Sequence, residues 1–409
     1  MNIALMTNNY KPVTGGVPIS VERLAAALRE QWHEVTIFAP TYREQQEEEG
    51  VFRYRTCLNR FVGGIVLPNA FDRRIDEEFR KQSFDIIHVH HPVLIGNTAV
   101  WLSHKYQIPL VFTYHTRYEK YLNYYTGGIF DFSRLMQIYL RSFLKRCDFV
   151  FAPTRGMEGY LLTDCHVPAE KVGILPTGLV KASYTASPEE SWNVRKRYDA
   201  ENIPLLMTVS RMAREKNLDF LLEALAETKK LYEKPFRVLF VGDGPDRNKL
   251  EQKSDFLGLR DTVIFTGSIP NSEIAAYYKA ADCFVFASKT ETQGIVIAEA
   301  FAGGTPVLAV RASGVEDLVL NGENGILTEE NIRIYAARLT EFLKSPDKRR
   351  TMAEKAYAAG LEYREEAVAE EAIRRYNEVI AAIERRNEEK KCNRKGTGKN
   401  AESVSYSYS

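Results

Sequence analysis

The sequence predicts an α/β protein built from two Rossmann-like domains, each a doubly wound parallel sheet. Three observations carry that prediction. At 409 residues the chain is too long for one domain of ordinary size. Short apolar runs of strand length alternate with segments whose apolar residues recur at helical spacing, as repeated β-α-β units require. That alternation also occurs twice, separated by one polar stretch.

The elements follow in order. "NIALM" is a short buried strand, and "VPISVERLAAALREQ" has helical periodicity. "EVTIFAP" is the next strand, followed by the acidic, loop-like "YREQQEEEG". "FDIIHVHHP", "PLVFTYH" and "FVFAPT" are further strands, with helical segments such as "LIGNTAVWLSHKY" between them. After "VGILPTGLV" the pattern loosens. Within the polar stretch, Ser187-Pro188-Glu189-Glu190 is a helix start, with serine as N-cap, proline in the first turn and glutamate three positions on. A second series then runs through "PLLMTVSR", "FRVLFVGDG", "VIFTG", "CFVFAS" and "TPVLAV". We assign an N-terminal domain to 1–180, a linker to 181–202 and a C-terminal domain to 203–361. One or two terminal helices cover 362–391, and 392–409 is polar enough to be disordered.

Composition narrows the function classes. A hydrophobic content of 44% supports real cores, and a net charge of +1 gives no bulk attraction to nucleic acid. The five cysteines (Cys57, Cys147, Cys165, Cys283, Cys392) have no framework spacing and read as reduced thiols. No signal peptide is evident at the start, and no apolar run is long enough to span a bilayer. The expectation is a cytoplasmic protein, with peripheral contact to the inner face of the cell membrane left open.

In doubly wound sheets, ligands bind beyond the C-terminal ends of strands. Arg211 ends one such strand and Lys216 follows in the loop, a pairing suited to a diphosphate although R-x-x-x-x-K alone is more often a solvated turn. "GDGPDRNKL" lacks the third glycine of a dinucleotide fingerprint and reads as a tight turn. "KTETQGIVIAEA" places Glu291 in a loop and Glu299 inside the following helix. Eight helical residues span roughly 12 Å, so the two acids cannot share one proton or one metal. The amides of Gly294, Ile295 and Val296 between them favour an anion. A nucleotide-sugar, with hydroxyls at both ends and phosphates between, fits that layout. Spacing alone fits equally a surface glutamate and one placed by the helix dipole.

In the first half, Gly15-Gly16 precedes a helix and allows close backbone approach to a ligand. Together with Arg211, Lys216 and "TETQGIVIAEAFAGGTPV", that loop makes the sequence resemble the retaining GT-B glycosyltransferases of family 4, over nearly the whole chain. The resemblance implies two Rossmann-like domains facing a cleft, with the C-terminal helix crossing back to the first. It also implies a hexosyl transfer from a nucleotide diphosphate sugar. Glu291 would contact the sugar, Glu299 the ribose, and Arg211 and Lys216 the phosphates. Gly15-Gly16 would face the diphosphate, Ile269 in "GSIP" the base, and His115 the donor sugar or reacting centre. "ASGVED" (312–317) departs from the Gly-Gly-x-x-Glu of many relatives.

"YHTRYEKYLNYY" resembles the bacterial and plastid branch that glucosylates diacylglycerol, which points to UDP-glucose as donor and diacylglycerol as acceptor, with a soluble sugar or a phosphatidylinositol-like lipid as the alternative acceptor for a transferase of this family. Asn123 stands near where such relatives often have histidine. Arg117, Tyr118, Lys120 and Tyr121 would form an amphipathic wall near the acceptor. Arg141, Lys145 and Arg146, among apolar residues at helical spacing, suit either a solvated helix face or an anionic membrane surface. His88, His90 and His91 read as strand-end packing rather than zinc ligands. No Asp-x-Asp occurs, so no divalent metal or other cofactor is expected. Two other classes stay open at this stage: a nucleotide-sugar epimerase of the same architecture, and a non-enzymatic membrane-associated protein. Oligomeric state is left undetermined.

Overall fold

The structure is a computed structural model and describes residues 1–13, 15–58, 67–116, 133–291 and 293–397. Arg117, Tyr118, Lys120 and Tyr121 lie outside the described residues, as does everything after 397.

The first half is a parallel seven-stranded sheet. Its strands are β1 (Asn2–Met6), β2 (Glu34–Pro40), β3 (Val51–Tyr54), β6 (Ile86–Val89), β7 (Leu110–Thr113), β8 (Phe149–Ala152) and β9 (Val172–Ile174). They lie in the order β3-β2-β1-β6-β7-β8-β9. A small antiparallel pair, β4 (Thr56–Leu58) and β5 (Leu67–Pro68), stands apart. The second half is a parallel six-stranded sheet of β10 (Leu205–Val209), β11 (Arg237–Val241), β12 (Val263–Gly267), β13 (Cys283–Phe286), β14 (Val307–Val310) and β15 (Gly325–Thr328). Its order is β12-β11-β10-β13-β14-β15. Central strands are continuous apolar runs because helices cover both faces, and Ile3, Leu5, Leu206 and Phe284 are fully buried.

The helices that position the cleft are α1 (Gly16–Glu30), α2 (Arg73–Lys81), α3 (Ile95–Tyr106), α4 (Ser133–Leu144) and α5 (Arg155–Thr163) in the first half. The second half adds α6 (Pro188–Arg197), α7 (Leu218–Leu231), α8 (Arg247–Phe256), α9 (Ile274–Ala280), α10 (Ile295–Ala302), α11 (Ile332–Lys344) and α12 (Pro346–Gly360). The final helix, α13 (Glu365–Thr397), returns to the first sheet. Its Val368, Ala369, Ala372 and Tyr376 pack with Ile3, Leu5, Val21 and Phe149. Each large side chain buried in this way contributes about 1.5–3 kcal/mol, enough to seat the helix on that face.

The two halves are joined where the chain crosses twice, side by side. Leu179 N–H donates to the Tyr363 carbonyl at 2.6 Å, and Glu365 N–H donates to the Leu179 carbonyl at 3.1 Å. Two stretches gain detail in the structure. Within 181–202 the helix start read at Ser187 is present: α6 begins on a complete Ser187–Glu190 capping box, buries Val194 and ties Arg195 to Asp282 at 2.8 Å. The last helix also runs past Lys391 to Thr397, because no helix-breaking residue interrupts it before Gly396.

In both sheets the strand order reverses beside the first strand, between β1 and β6 and again between β10 and β13. Loops leaving neighbouring strands there diverge to opposite faces and open a crevice. The loops after these four strands carry most of the residues considered next.

Candidate active site in the cleft

One lip of the cleft is built at the β10/β13 switch point. Arg211 follows β10, and Lys216 closes a one-turn helix, Arg214–Lys216. The "GDGPD" turn, whose two glycines lie close against the Ser210 and Met212 backbone, braces this loop from behind. Met212 N–H donates to the Asp243 carbonyl at 2.8 Å, and Asp246 N–H donates to the Met212 carbonyl at 3.0 Å. Gly242 has φ +123°, and a Cβ there would collide with the Ser210 carbonyl. The tight-turn reading of that motif therefore has a structural purpose: it sets the shape of the loop that presents the two cations.

Lys216 Nζ reaches Glu291 Oε1 at 2.5 Å, and Ser288 Oγ donates to the same oxygen at 3.0 Å. Burial alone would raise the Glu291 carboxyl, but the Lys216 charge and the hydrogen bonds from Lys216 and Ser288 outweigh it and hold the group below its usual value. Glu291 is thus an ionised acceptor. Arg211 pairs with Glu215 at 2.7 Å and is half-exposed.

Gly294 caps α10 in the left-handed region at φ 67°, a conformation that favours glycine. Ile295 and Val296 follow as the first helical residues, so their amides precede the helical ladder and face its N-terminal end. Glu299 lies farther along α10. Its Oε2 accepts from the Tyr278 hydroxyl at 3.0 Å, and its Oε1 accepts from Arg23 of the first half at 2.8 Å. Burial, then the neighbouring Glu299 charge, push the Tyr278 hydroxyl well above its ordinary value, so it remains a donor. Ile269, just after β12, is partly buried on the same core as Ile295 and Val296.

The opposite lip comes from the β1/β6 switch point. Gly15 and Gly16 open α1, and a Cβ on Gly16 would lie 3.8 Å from Ile295 Cδ1. The glycine loop therefore faces the start of α10 directly. His115, just after β7, meets His90, just after β6, with His90 Nδ1 and His115 Nε2 2.8 Å apart. Burial holds His115 neutral, with its value pushed down to about 3. His88 is likewise buried between Tyr376 at 2.6 Å and Thr113 at 2.7 Å, and His91 lies against the Asn8 amide at 3.1 Å. Among the described residues no group of three His, Cys, Asp or Glu side chains is placed to share a metal ion.

Among the described residues, three contacts bridge the lips. Besides Arg23–Glu299, the Thr177 amide donates to Gln293 Oε1 at 2.8 Å, and the Gly156 amide donates to both Asp317 oxygens at 3.0 and 2.9 Å. The "ASGVED" departure thus places an acid against the first turn of α5. Sequence reading passed over Arg23, Tyr278, Ser288, Gln293 and the pairing of His90 with His115. Arg23 had a signal: it shares a helix face with Ser20 and Ala27, which are small and buried, so the face has room for a long side chain.

On α4 the apolar residues divide. Leu140, Phe143 and Leu144 are buried in the core, whereas Leu135 and Ile138 are 64% and 58% exposed. Arg141 donates to the Asp164 carbonyl at 2.8 Å, and Arg146 donates to the Ser142 carbonyl at 3.2 Å. Lys145 is on the exposed side of the same segment. No helix among the described residues is long and apolar enough to cross a membrane.

Comparison with known proteins covers both halves. Residues 14–180 match the family described as Glycosyltransferase Family 4, and residues 190–359 match Glycosyl transferases group 1. The chain is 32% identical over 375 residues to the alpha-monoglucosyldiacylglycerol synthase of Streptococcus pneumoniae, covering 88% of this chain and 83% of that one. It is 29% identical over 336 residues to a GDP-mannose-dependent alpha-mannosyltransferase of Mycolicibacterium smegmatis, covering 80% and 84%. The fold resembles that of Anabaena HepE, solved in complex with UDP, with a TM-score of 0.73 at 20% identity, covering 92% of this chain and 100% of that one.

Proposed function

Because the chain belongs to the nucleotide-sugar-dependent glycosyltransferases of GT-B family 4, we propose that it transfers glucose from UDP-glucose to the hydroxyl of 1,2-diacylglycerol at a membrane surface. The observation that carries this reading is the line Lys216, Glu291, α10 N-terminus, Glu299 along one lip, with Gly16 facing it across the cleft. That line offers acceptors at both ends and positive charge between them. A nucleotide diphosphate sugar has the complementary pattern. The similarity to the diacylglycerol-directed enzyme of Streptococcus pneumoniae supports the choice of acceptor.

In this reading Glu291, ionised, accepts hydrogen bonds from the sugar, and Glu299 accepts from the ribose. Ile269 lies against the base. Arg211, Lys216, the Gly15-Gly16 amides and the N-terminus of α10 stabilise the diphosphate as its bond to the anomeric carbon breaks. The acceptor oxygen bonds to that carbon on the same face, and the acceptor proton passes to the departing phosphate oxygen, which retains the anomeric configuration. His115, neutral at physiological pH, serves as a hydrogen-bonding partner at the reacting end rather than as a cationic acid. The exposed Leu135 and Ile138 of α4, flanked by Arg141, Lys145 and Arg146, support docking on an anionic bilayer that holds the lipid acceptor.

The test is a donor-by-acceptor assay with the full chain, UDP-glucose or GDP-mannose, and vesicles with or without diacylglycerol and anionic lipid. Formation of an α-glucosyl lipid from UDP-glucose only when diacylglycerol is present is the expected result. Transfer from GDP-mannose alone would move the donor assignment toward the mannosyltransferase relative. Interconversion of the donor sugar without acceptor would replace transfer by epimerisation, and no nucleotide binding at all would leave a non-enzymatic role.

A further inference from the structure

The ribose carboxylate of the proposed site is already occupied. Glu299 Oε1 takes the Arg23 guanidinium at 2.8 Å, and Oε2 takes the Tyr278 hydroxyl at 3.0 Å. The Arg23 and Glu299 side chains are only 15% and 14% exposed, so a ligand has little room to approach the carboxylate while the arginine stays. Tyr278 comes from the same half as Glu299, but Arg23 comes from α1 across the cleft. Arg23 also donates to the Gly178 carbonyl at 3.2 Å, beside the double chain crossing.

We infer that Arg23 competes with the donor for Glu299: it holds the nucleotide end of the cleft shut in the unliganded enzyme, and a ribose diol displaces it. The inference rests on the reading of Glu299 as the ribose acid and identifies a residue that sets nucleotide affinity. A vicinal diol can offer two hydroxyl donors to one carboxylate and so replaces what Arg23 supplied. A 2′-deoxyribose offers one, gains less from the carboxylate and has less reason to expel the arginine. A protein whose binding-competent state is only partly populated shows an affinity reduced by that fraction, so removing the competitor raises affinity without adding a contact.

The experiment is titration calorimetry of the full chain with UDP and 2′-deoxy-UDP, comparing wild type with Arg23→Met and Arg23→Lys, together with small-angle scattering of each unliganded protein. Arg23→Met is expected to bind UDP roughly fivefold to tenfold more tightly, with a smaller gain for 2′-deoxy-UDP and an increased radius of gyration. Arg23→Lys, which keeps the charge on a shorter reach, is expected between the two, and preserves the test should the methionine variant fold poorly. UDP affinity unchanged or reduced in the variants overturns the competition. A further titration of wild type with GDP separates the two failures: binding of neither UDP nor GDP overturns instead the nucleotide reading on which it rests.

Discussion

Replacing Lys216 with methionine removes one ammonium and keeps the aliphatic stem. The ammonium lies 2.5 Å from Glu291 Oε1, and the two side chains are 23% and 20% exposed, drier than an ordinary surface pair. A hydrogen bond to a charged group in such a setting contributes on the order of 1.5–3 kcal/mol. Without it, Glu291 keeps Ser288 at 3.0 Å and the burial that raises its carboxyl. Stability at neutral pH should therefore fall by about 1–3 kcal/mol. The sign of the pH dependence follows from the direction of the shift. Glu291 is held below its ordinary 4.5 in the folded protein, so the contribution is present above that value and is lost as pH falls through the folded one. The gap between wild type and variant should close in acid. Urea unfolding of wild type, Lys216→Met, Glu291→Gln and the double variant, at about pH 7 and at the lowest pH where wild type still keeps a folded baseline, gives the coupling as a double-mutant cycle. A coupling under about 0.3 kcal/mol at neutral pH, or one that does not shrink in acid, would refute the account of this pair.

Two further outcomes are expected. Gly242→Ala puts a Cβ into the Ser210 carbonyl at φ +123°, so thermal unfolding should show a loss of about 2 kcal/mol or more. UDP affinity should fall with it, because the 211–216 loop loses its brace; an unchanged Tm would show that the turn relaxes freely. The buried histidines predict an acid-sensitive fold: burial pushes His88 and His115 down to about 3 and His91 to about 4 from an ordinary 6.5. These groups are depressed in the folded state, so stability is full above 6.5 and falls as pH drops below it, by up to about 1.4 kcal/mol per pH unit for each histidine. Urea unfolding between about pH 7 and about pH 5, where most carboxylates stay ionised, should show that slope, and a flat profile would contradict neutral burial.

Much of this was open to reading in one dimension, and for a definite reason. Strands such as "NIALM", "EVTIFAP" and "PLLMTV" are covered on both faces, so their buried residues are nearly all apolar and the run stands out. Edge strands carry no such demand. β3 and β15, four residues each, lie at the edges of the first and second sheets, and the sequence analysis assigns neither. The Ser187–Glu190 capping box was legible because its hydrogen bonds close within four residues. The helix it opens lies inside the stretch assigned as linker, because the contact that fixes it to the second half, Arg195 to Asp282, joins residues 87 positions apart.

The site divides along the same line. Lys216, Glu291, Gly294 and Glu299 were marked by local cues: a loop after a strand, a glycine before a helix, a spacing. Periodicity and turn chemistry are properties of neighbours in sequence, so they announced two α/β domains and the residues at the ends of their strands. What a side chain meets in the folded cleft depends on which loops the strand order brings together. That Glu299 holds Arg23, separated by 276 positions, is such a fact, and so are Gln293 against Thr177 and His90 against His115. Long-range contacts leave no periodic trace, because each partner satisfies its own helix or strand equally well without the other. The chain alone therefore indicated what kind of ligand the cleft suits, and the tertiary structure decided which of its own groups already stands in that ligand's place.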